Sequence, residues 1–351
     1  MPKEKSSRYI LPIKNDSFLH EFRFNPVRVL RYFLKRAMKV WFVNFWCSPQ
    51  EMMTCRHFFK AFKHVIPNMT LNSYKPDIVF HSLFGPPHAI DNAKYINSTK
   101  VFYSGENTDL RFPEYANIDQ HTDFYINYHT LKARQTTPKI CQDIRIPLWF
   151  FCFDFYKREN STTLEYIKNN KITNANKRQG TALIARSDFY NFRQSILDIF
   201  KRHKINVACP STMGNNMPSI GPDIKDKIEF LENYAINICS ENMMGEGYLT
   251  EKLFECVMSG CIPLYDGAFC QQEKYGLLME HDIFNTDRII MVSPTMVDQT
   301  IRVLDNPDKM LGLPMFLPTA FNAILNMCDE FDAFTREIVK HVEARKQKHI
   351  L

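Results

Sequence analysis

Two short runs of the chain hold residue types that could do chemistry. The first, Val101-Phe102-Tyr103-Ser104-Gly105-Glu106-Asn107, is an apolar run that ends in a Ser-Gly turn bearing a carboxylate and an amide. In an α/β sheet, ligands sit beyond the carboxyl ends of strands, so Glu106 stands where a general base could take a proton. The same side chain would equally serve as a helix cap or a solvated loop carboxylate. The second run, Ile236-Asn237-Ile238-Cys239-Ser240-Glu241-Asn242, again ends in polar side chains. A loop with two glycines follows at 243–247, and Tyr248-Leu249-Thr250-Glu251-Lys252 opens a helix. Strand, glycine-containing loop and helix start present backbone N–H groups and a positive dipole end, which suit a phosphate. Lys252 adds a cation there, and Glu251 could meet a sugar hydroxyl or simply favour the helix start. The loop matches neither GxGxxG nor GxxxxGK[ST], and the chain has no D-x-D triplet to hold a metal.

These residues need a sheet to position them. Short runs rich in Val and Ile at 40–45, 78–80, 101–103, 124–128, 181–185, 205–208, 236–240, 262–265 and 289–292 read as buried parallel strands. Between them, 189–202 and 249–259 read as helices. Leu249, Leu253 and Val257 share one helical face, and Gly260 suits the C-cap. Strands alternating with helices predict an α/β fold. The window 156–180, rich in Asn, Lys and Thr, reads as a linker between an amino-terminal domain (1–155) and a carboxyl-terminal domain (181–317). Residues 318–351 read as a helix packing back on the body before a solvated basic tail at 345–349.

The totals agree with two globular domains. The chain has 351 residues, with 45% hydrophobic and 23% charged. A net charge of +6, from 44 basic against 38 acidic residues, suits an anionic ligand or membrane surface. It is too small and dispersed to argue for nucleic acid. Ten cysteines without a CxxC pair read as reduced thiols rather than a metal or disulfide framework. The first fourteen residues are polar and basic without an apolar core, and the apolar stretch 40–47, interrupted by Asn44, is too short to span a bilayer. A cytoplasmic protein is expected. The basic segment 28–39 reads as a surface helix, or as an interfacial helix on anionic lipid.

The run 234–267 (YAINICSENMMGEGYLTEKLFECVMSGCIPLYDG) resembles the donor motif of the α-1,3/4-fucosyltransferases, glycosyltransferase family 10, in their bacterial type. The run 100–115 (KVFYSGENTDLRFPEY) resembles that family's amino-half motif, and Arg145-Ile146-Pro147-Leu148 matches the segment after it. Residues 38–46 and 75–80 are weaker echoes in the same order. The resemblance implies a GT-B architecture, two Rossmann-like domains facing a central cleft, with the acceptor on the amino half and GDP-fucose on the carboxyl half. It implies inverting transfer of L-fucose from GDP-β-L-fucose to O3 of N-acetylglucosamine, in an N-acetyllactosamine-type surface glycan such as a lipopolysaccharide O-antigen. By motif position Glu106 and Glu251 would be catalytic, Glu106 as the general base. Arg193, Glu241, Asn242, Tyr248 and Lys252 would line the donor site. No metal is required on this reading, although stimulation by a divalent cation stays open. The expected location is the cytoplasm, with peripheral contact at the inner membrane and no nucleic-acid partner. Two departures stand out: Ser240 replaces the usual Phe, and Met243 and Met244 replace more polar residues. A GT-B enzyme for another nucleotide sugar and an inactive glycan- or nucleotide-binding homologue are the alternatives.

Overall fold

The computed structural model describes residues 37–348 except 55–56, 109, 130–140, 171–177, 190, 244, 246, 268–279 and 281. Most of the basic segment 28–39 therefore lies outside the described residues, as does Met244.

Strands β1 (Met38–Val43), β2 (Met69–Leu71), β3 (Ile78–His81), β4 (Thr99–Ser104), β5 (Phe124–Asn127) and β6 (Gln142–Arg145) form one sheet in the order β2-β1-β3-β4-β5-β6. Strands β7 (Thr181–Ala182), β8 (Val207–Ala208), β9 (Ile236–Ile238), β10 (Ile262–Tyr265) and β11 (Ile290–Met291) form a second, ordered β11-β10-β9-β7-β8. Every pairing is parallel. Both sheets thus run outward from their first strand in two directions, and each has a switch point where the winding reverses, between β1 and β3 and between β7 and β9. Ligands of doubly wound sheets bind beyond the strand ends at such points.

All four residues of β3, β5 and β10 are buried, as helices on both faces of a parallel sheet require. The expected strand positions hold, with shorter ends in the carboxyl-terminal sheet. Residues 183–185, expected within a strand, continue beyond β7 toward the switch point. Strands β2 and β6 were not anticipated. Both are edge strands with one neighbour, so neither needs the apolar run that marks a central strand.

The segment 156–180 is not a featureless linker. It contains a helix, Thr162–Asn169, whose N-cap Ser161 accepts a hydrogen bond from the Leu164 amide at 3.0 Å. Thr163, Leu164 and Ile167 bury one face of it while Thr162, Glu165, Lys168 and Asn169 cover the other, so composition alone hides the helix. Asn170 ends it in the left-handed conformation, and its amide clamps Phe316 through both backbone groups at 2.7 and 3.1 Å.

The long helix Ala320–Lys348 returns to the amino-terminal sheet. Phe331 meets Phe62 at 4.9 Å between ring centroids, and Phe334 meets Phe124 at 5.5 Å. Its basic end is not simply solvated. Arg345 donates to Asp123 and to the Ser98 carbonyl, each at 2.8 Å, and Lys346 pairs with Asp77 at 2.9 Å. No helix among the described residues is long and apolar enough to cross a membrane.

Candidate active site

Beyond β7 and β9, at the switch point of the second sheet, lies a cleft of about 740 Å³. Four cations line it, Arg186, Arg193, Lys227 and Lys252, together with Glu106, Asn242 and Glu251. Among the residues singled out by sequence, Arg193, Asn242, Glu251 and Lys252 therefore converge on one cleft, and Glu106 reaches it from the opposite unit.

The helix Glu251–Met258 begins at this cleft, and its start is held by Glu241. That carboxylate accepts from the Thr250 amide at 2.8 Å and the Thr250 hydroxyl at 2.6 Å. Lys252 Nζ donates to the Thr250 hydroxyl at 2.8 Å and lies 3.4 Å from both Glu241 and Glu251. The Glu241 side chain is 0% exposed, so the structure places it beneath the site as a support for Thr250 and Lys252, not on the cleft wall. Burial raises its pKa, against the pull of Lys252 and the Thr250 hydrogen bonds. Burial alone would also raise Glu251, but Lys252 and Lys227 outweigh it and hold that carboxyl below its ordinary range.

Arg193 is buried and strapped to backbone. Its Nε and Nη2 donate to the Ser240 carbonyl, and its Nη1 donates to the Ser187 carbonyl at 2.8 Å. It thereby ties the loop after β7 to the loop after β9 across the switch point. Burial lowers its pKa, with Glu241 and Asp188 opposing.

Tyr248 is also buried rather than cleft-lining. Its hydroxyl lies 3.3 Å from Asn242 Oδ1 and 3.5 Å from Glu106 Oε2, and its ring meets Tyr128 edge-on at 5.0 Å. It joins the loop after β9 to the carboxylate of the opposite sheet. The glycines of this loop serve the same join. A Cβ at Gly245 would stand 2.7 Å from Asn107 Nδ2. Gly247, at φ +67°, would bring one within 3.1 Å of the Tyr128 carbonyl. Both glycines thus allow a close approach between the two units.

Sequence reasoning missed three residues here. Arg111 donates to Glu106 Oε2 at 2.9 Å and lies over Phe112 and, from the other unit, Phe189, at 5.2 and 5.0 Å. It falls inside the run 100–115, five residues past Glu106, where the turn separating them gives no periodic signal. Lys227 lines the cleft from the helix Ile224–Leu231 and pairs with Glu255 at 2.8 Å. Arg145, on β6, donates to the Gly247 carbonyl at 3.0 Å and to Glu280 at 2.7 Å.

Burial, with the nearby Glu251 carboxylate, pushes Glu255 up to about 7 despite Lys227. Between its ordinary value of 4.5 and about 7, the folded protein keeps a proton that the unfolded chain has released. The stability this proton confers is full below pH 4.5 and is lost as pH rises to about 7. Glu251, shifted downward, stays ionised across that window. Glu255→Gln is therefore expected to flatten the decline of Tm between about pH 5 and pH 7.5 by about 3 °C, measured by thermal unfolding against pH.

Comparison with known proteins agrees with the motifs. Residues 40–152 match the family described as the alpha-(1,3)-fucosyltransferase FucT N-terminal domain. A curated relative, alpha-(1,3)-fucosyltransferase FucT of Helicobacter pylori, is 27% identical over 247 residues, which cover 61% of this chain and 47% of the relative. The chain thus spans about half the length of that relative. A crystal structure of an α1,3-fucosyltransferase with GDP-fucose shares the fold at a TM-score of 0.54 and 20% identity, over 84% of this chain and 90% of that one. A structure of an α1,3-fucosyltransferase with GDP aligns at the same TM-score and 19% identity, over 85% and 90%. The two doubly wound units are thus a GT-B pair, as expected. The amino-terminal unit thus matches the FucT N-terminal domain family, and the chain is similar to α-1,3-fucosyltransferases in sequence and in fold.

Proposed function

We propose that the protein is an inverting fucosyltransferase that moves L-fucose from GDP-β-L-fucose to O3 of N-acetylglucosamine in an N-acetyllactosamine-type surface glycan. One observation carries this reading. Glu106 lies on the wall shared by the cationic cleft of the carboxyl-terminal unit and a second, aromatic cavity of the amino-terminal unit. A base standing between a donor site and an acceptor site is what single displacement needs.

On this reading the acceptor hydroxyl gives its proton to Glu106 as its oxygen bonds to C1 of fucose. The bond from C1 to the β-phosphate oxygen breaks on the opposite face, and its electron pair leaves with GDP. Both Arg111 and Tyr248 engage Glu106 at Oε2, and Oε1 has no protein partner among the described residues. Oε1 is the atom we assign to the proton. Charge growing on the leaving diphosphate meets Arg193, Lys227, Lys252 and the start of the helix Glu251–Met258. That set of cations supports a reaction with no required metal. Glu251, held ionised by its two lysines, would face positive charge developing on the fucosyl ring.

The test is mass-spectrometric detection of fucose transfer from GDP-fucose to N-acetyllactosamine in EDTA, with release of GDP followed in parallel. Transfer supports the reading. A protein that binds GDP-fucose, yet neither transfers nor hydrolyses it, would overturn it. Lys252→Met is expected to lower kcat/KM for GDP-fucose by about 10²–10³-fold, as removal of one preorganised charge-stabilising group does. Initial rates at varied donor concentration check this.

A further inference from the structure

Glu106 is held through a single oxygen. Arg111 Nη1 donates to Oε2 at 2.9 Å, and the Tyr248 hydroxyl lies 3.5 Å from the same atom. A one-point ion pair that is partly open to water is weak, and it leaves a long guanidinium side chain many rotamers. On its own that contact would not fix the direction of the carboxylate. Two aromatic rings supply the missing restraint. The Arg111 guanidinium lies over Phe112 at 5.2 Å and over Phe189 at 5.0 Å. Phe112 is the fixed wall, because it packs on the apolar cluster around Tyr115 and meets that ring edge-on at 6.5 Å.

Phe189 is the unusual member. It comes from the carboxyl-terminal unit, is 51% exposed, and among the described residues belongs to no apolar cluster. Its ring therefore adds little to a core, and what its face meets is the Arg111 cation. The loop that carries it is nonetheless tied down. Arg193 donates to the Ser187 carbonyl at 2.8 Å, and the Asp188 carboxylate accepts from the Gln194 amide at 2.8 Å. Arg186 and Ser187, on the same loop, line the cationic cleft. The backbone bordering that cleft thus presents an aromatic face to the group that holds Glu106.

We propose that Phe189 is a positioning residue for the general base: it clamps Arg111 against Phe112 and thereby fixes, from the opposite unit, the direction in which Glu106 presents Oε1. This assignment rests on the fucosyl-transfer reading above and adds to it a residue that acts only through Arg111.

Steady-state transfer of fucose from GDP-fucose to N-acetyllactosamine, with each substrate varied in turn, tests it. Phe189→Ala should lower kcat about tenfold, since small misplacement of a reacting group is costly, and should leave the KM for GDP-fucose unchanged. Its Tm should stay near that of the wild type, because the ring lies outside the core. Phe189→Tyr should restore the rate by keeping a π face for the cation, whereas Phe189→Leu, which lacks that face, should not. Added to Arg111→Met, Phe189→Ala should cost nothing further, as expected of two residues that act through one contact. Wild-type kcat in Phe189→Ala, a Phe189→Leu protein as active as Phe189→Tyr, or losses at Phe189 and Arg111 that multiply would each overturn the assignment while leaving fucosyl transfer standing. A wild type that binds GDP-fucose without transferring it would overturn that reading, and this assignment with it.

Discussion

Glu106→Gln is expected to lower kcat by about 10²–10⁴-fold while GDP-fucose still binds. Glutamine keeps the size of the side chain and can still accept from Arg111, whose contact at 2.9 Å holds Glu106 at the junction of the two cavities. On the proposed mechanism, what it loses is the ability to take a proton at the moment the acceptor oxygen attacks. The Arg111 pair is partly open to solvent, at 32% and 26% exposed, so its own contribution to stability is small, and the variant should fold normally. Single-turnover rates with saturating GDP-fucose, together with donor affinity by calorimetry, separate the two effects. A variant that transfers fucose at the wild-type rate would move the base to another residue.

Arg145→Met is expected to destabilise the protein by about 3–5 kcal/mol, the cost of breaking a buried ion pair from one side. Arg145 and Glu280 are 10% and 1% exposed and 2.7 Å apart, and Trp149 Nε1 lies 3.4 Å from the same Glu280 oxygen. Methionine preserves much of the volume but strands the Glu280 carboxylate. It also removes the 3.0 Å hydrogen bond to the Gly247 carbonyl, which fixes the loop ahead of Tyr248. Tm should fall by about 10 °C. Adding Glu280→Gln should recover much of that loss, because the stranded charge rather than the missing contact carries most of the cost. If the double variant is no more stable than the single one, the loop contact is the larger effect.

The two variants divide what was legible in the chain. Glu106 and the group Asn242, Glu251 and Lys252 are local: each follows an apolar run in a turn or opens a helix, and each lies within a few residues of its strand. Such placements survive in one dimension because strand ends and helix starts have periodic and capping signals. Nine of the eleven strands were visible for the same reason, β8 and β11 at the edges of the second sheet among them. The edge strands β2 (Met-Thr-Leu) and β6 (Gln-Asp-Ile-Arg) were not, since pairing on one side demands no apolar run and neither carries one. The helix Thr162–Asn169 was masked by the polar composition of its solvent face.

Site residues were less certain than strands because residue type does not say which way a side chain faces. Glu241 and Tyr248 sit inside the donor motif, yet both are buried supports, one under Thr250 and Lys252, the other between Asn242 and Glu106. Arg111 and Lys227 are ordinary surface residue types in sequence and become site residues only where the two units face each other.

By itself the amino-acid sequence determined the α/β alternation, the two sheets and the short runs that carry the reacting groups, because those follow from local periodicity and from caps a few residues long. Only the tertiary structure decided that Glu106 stands on the wall of both cavities, that Arg145 meets Glu280 across 135 residues, and that the Tyr103 hydroxyl, beside the aromatic cavity, has no partner among the described residues. Those are contacts between segments distant in the chain, set by how two sheets dock, and docking leaves no repeat in a single sequence from which to read it.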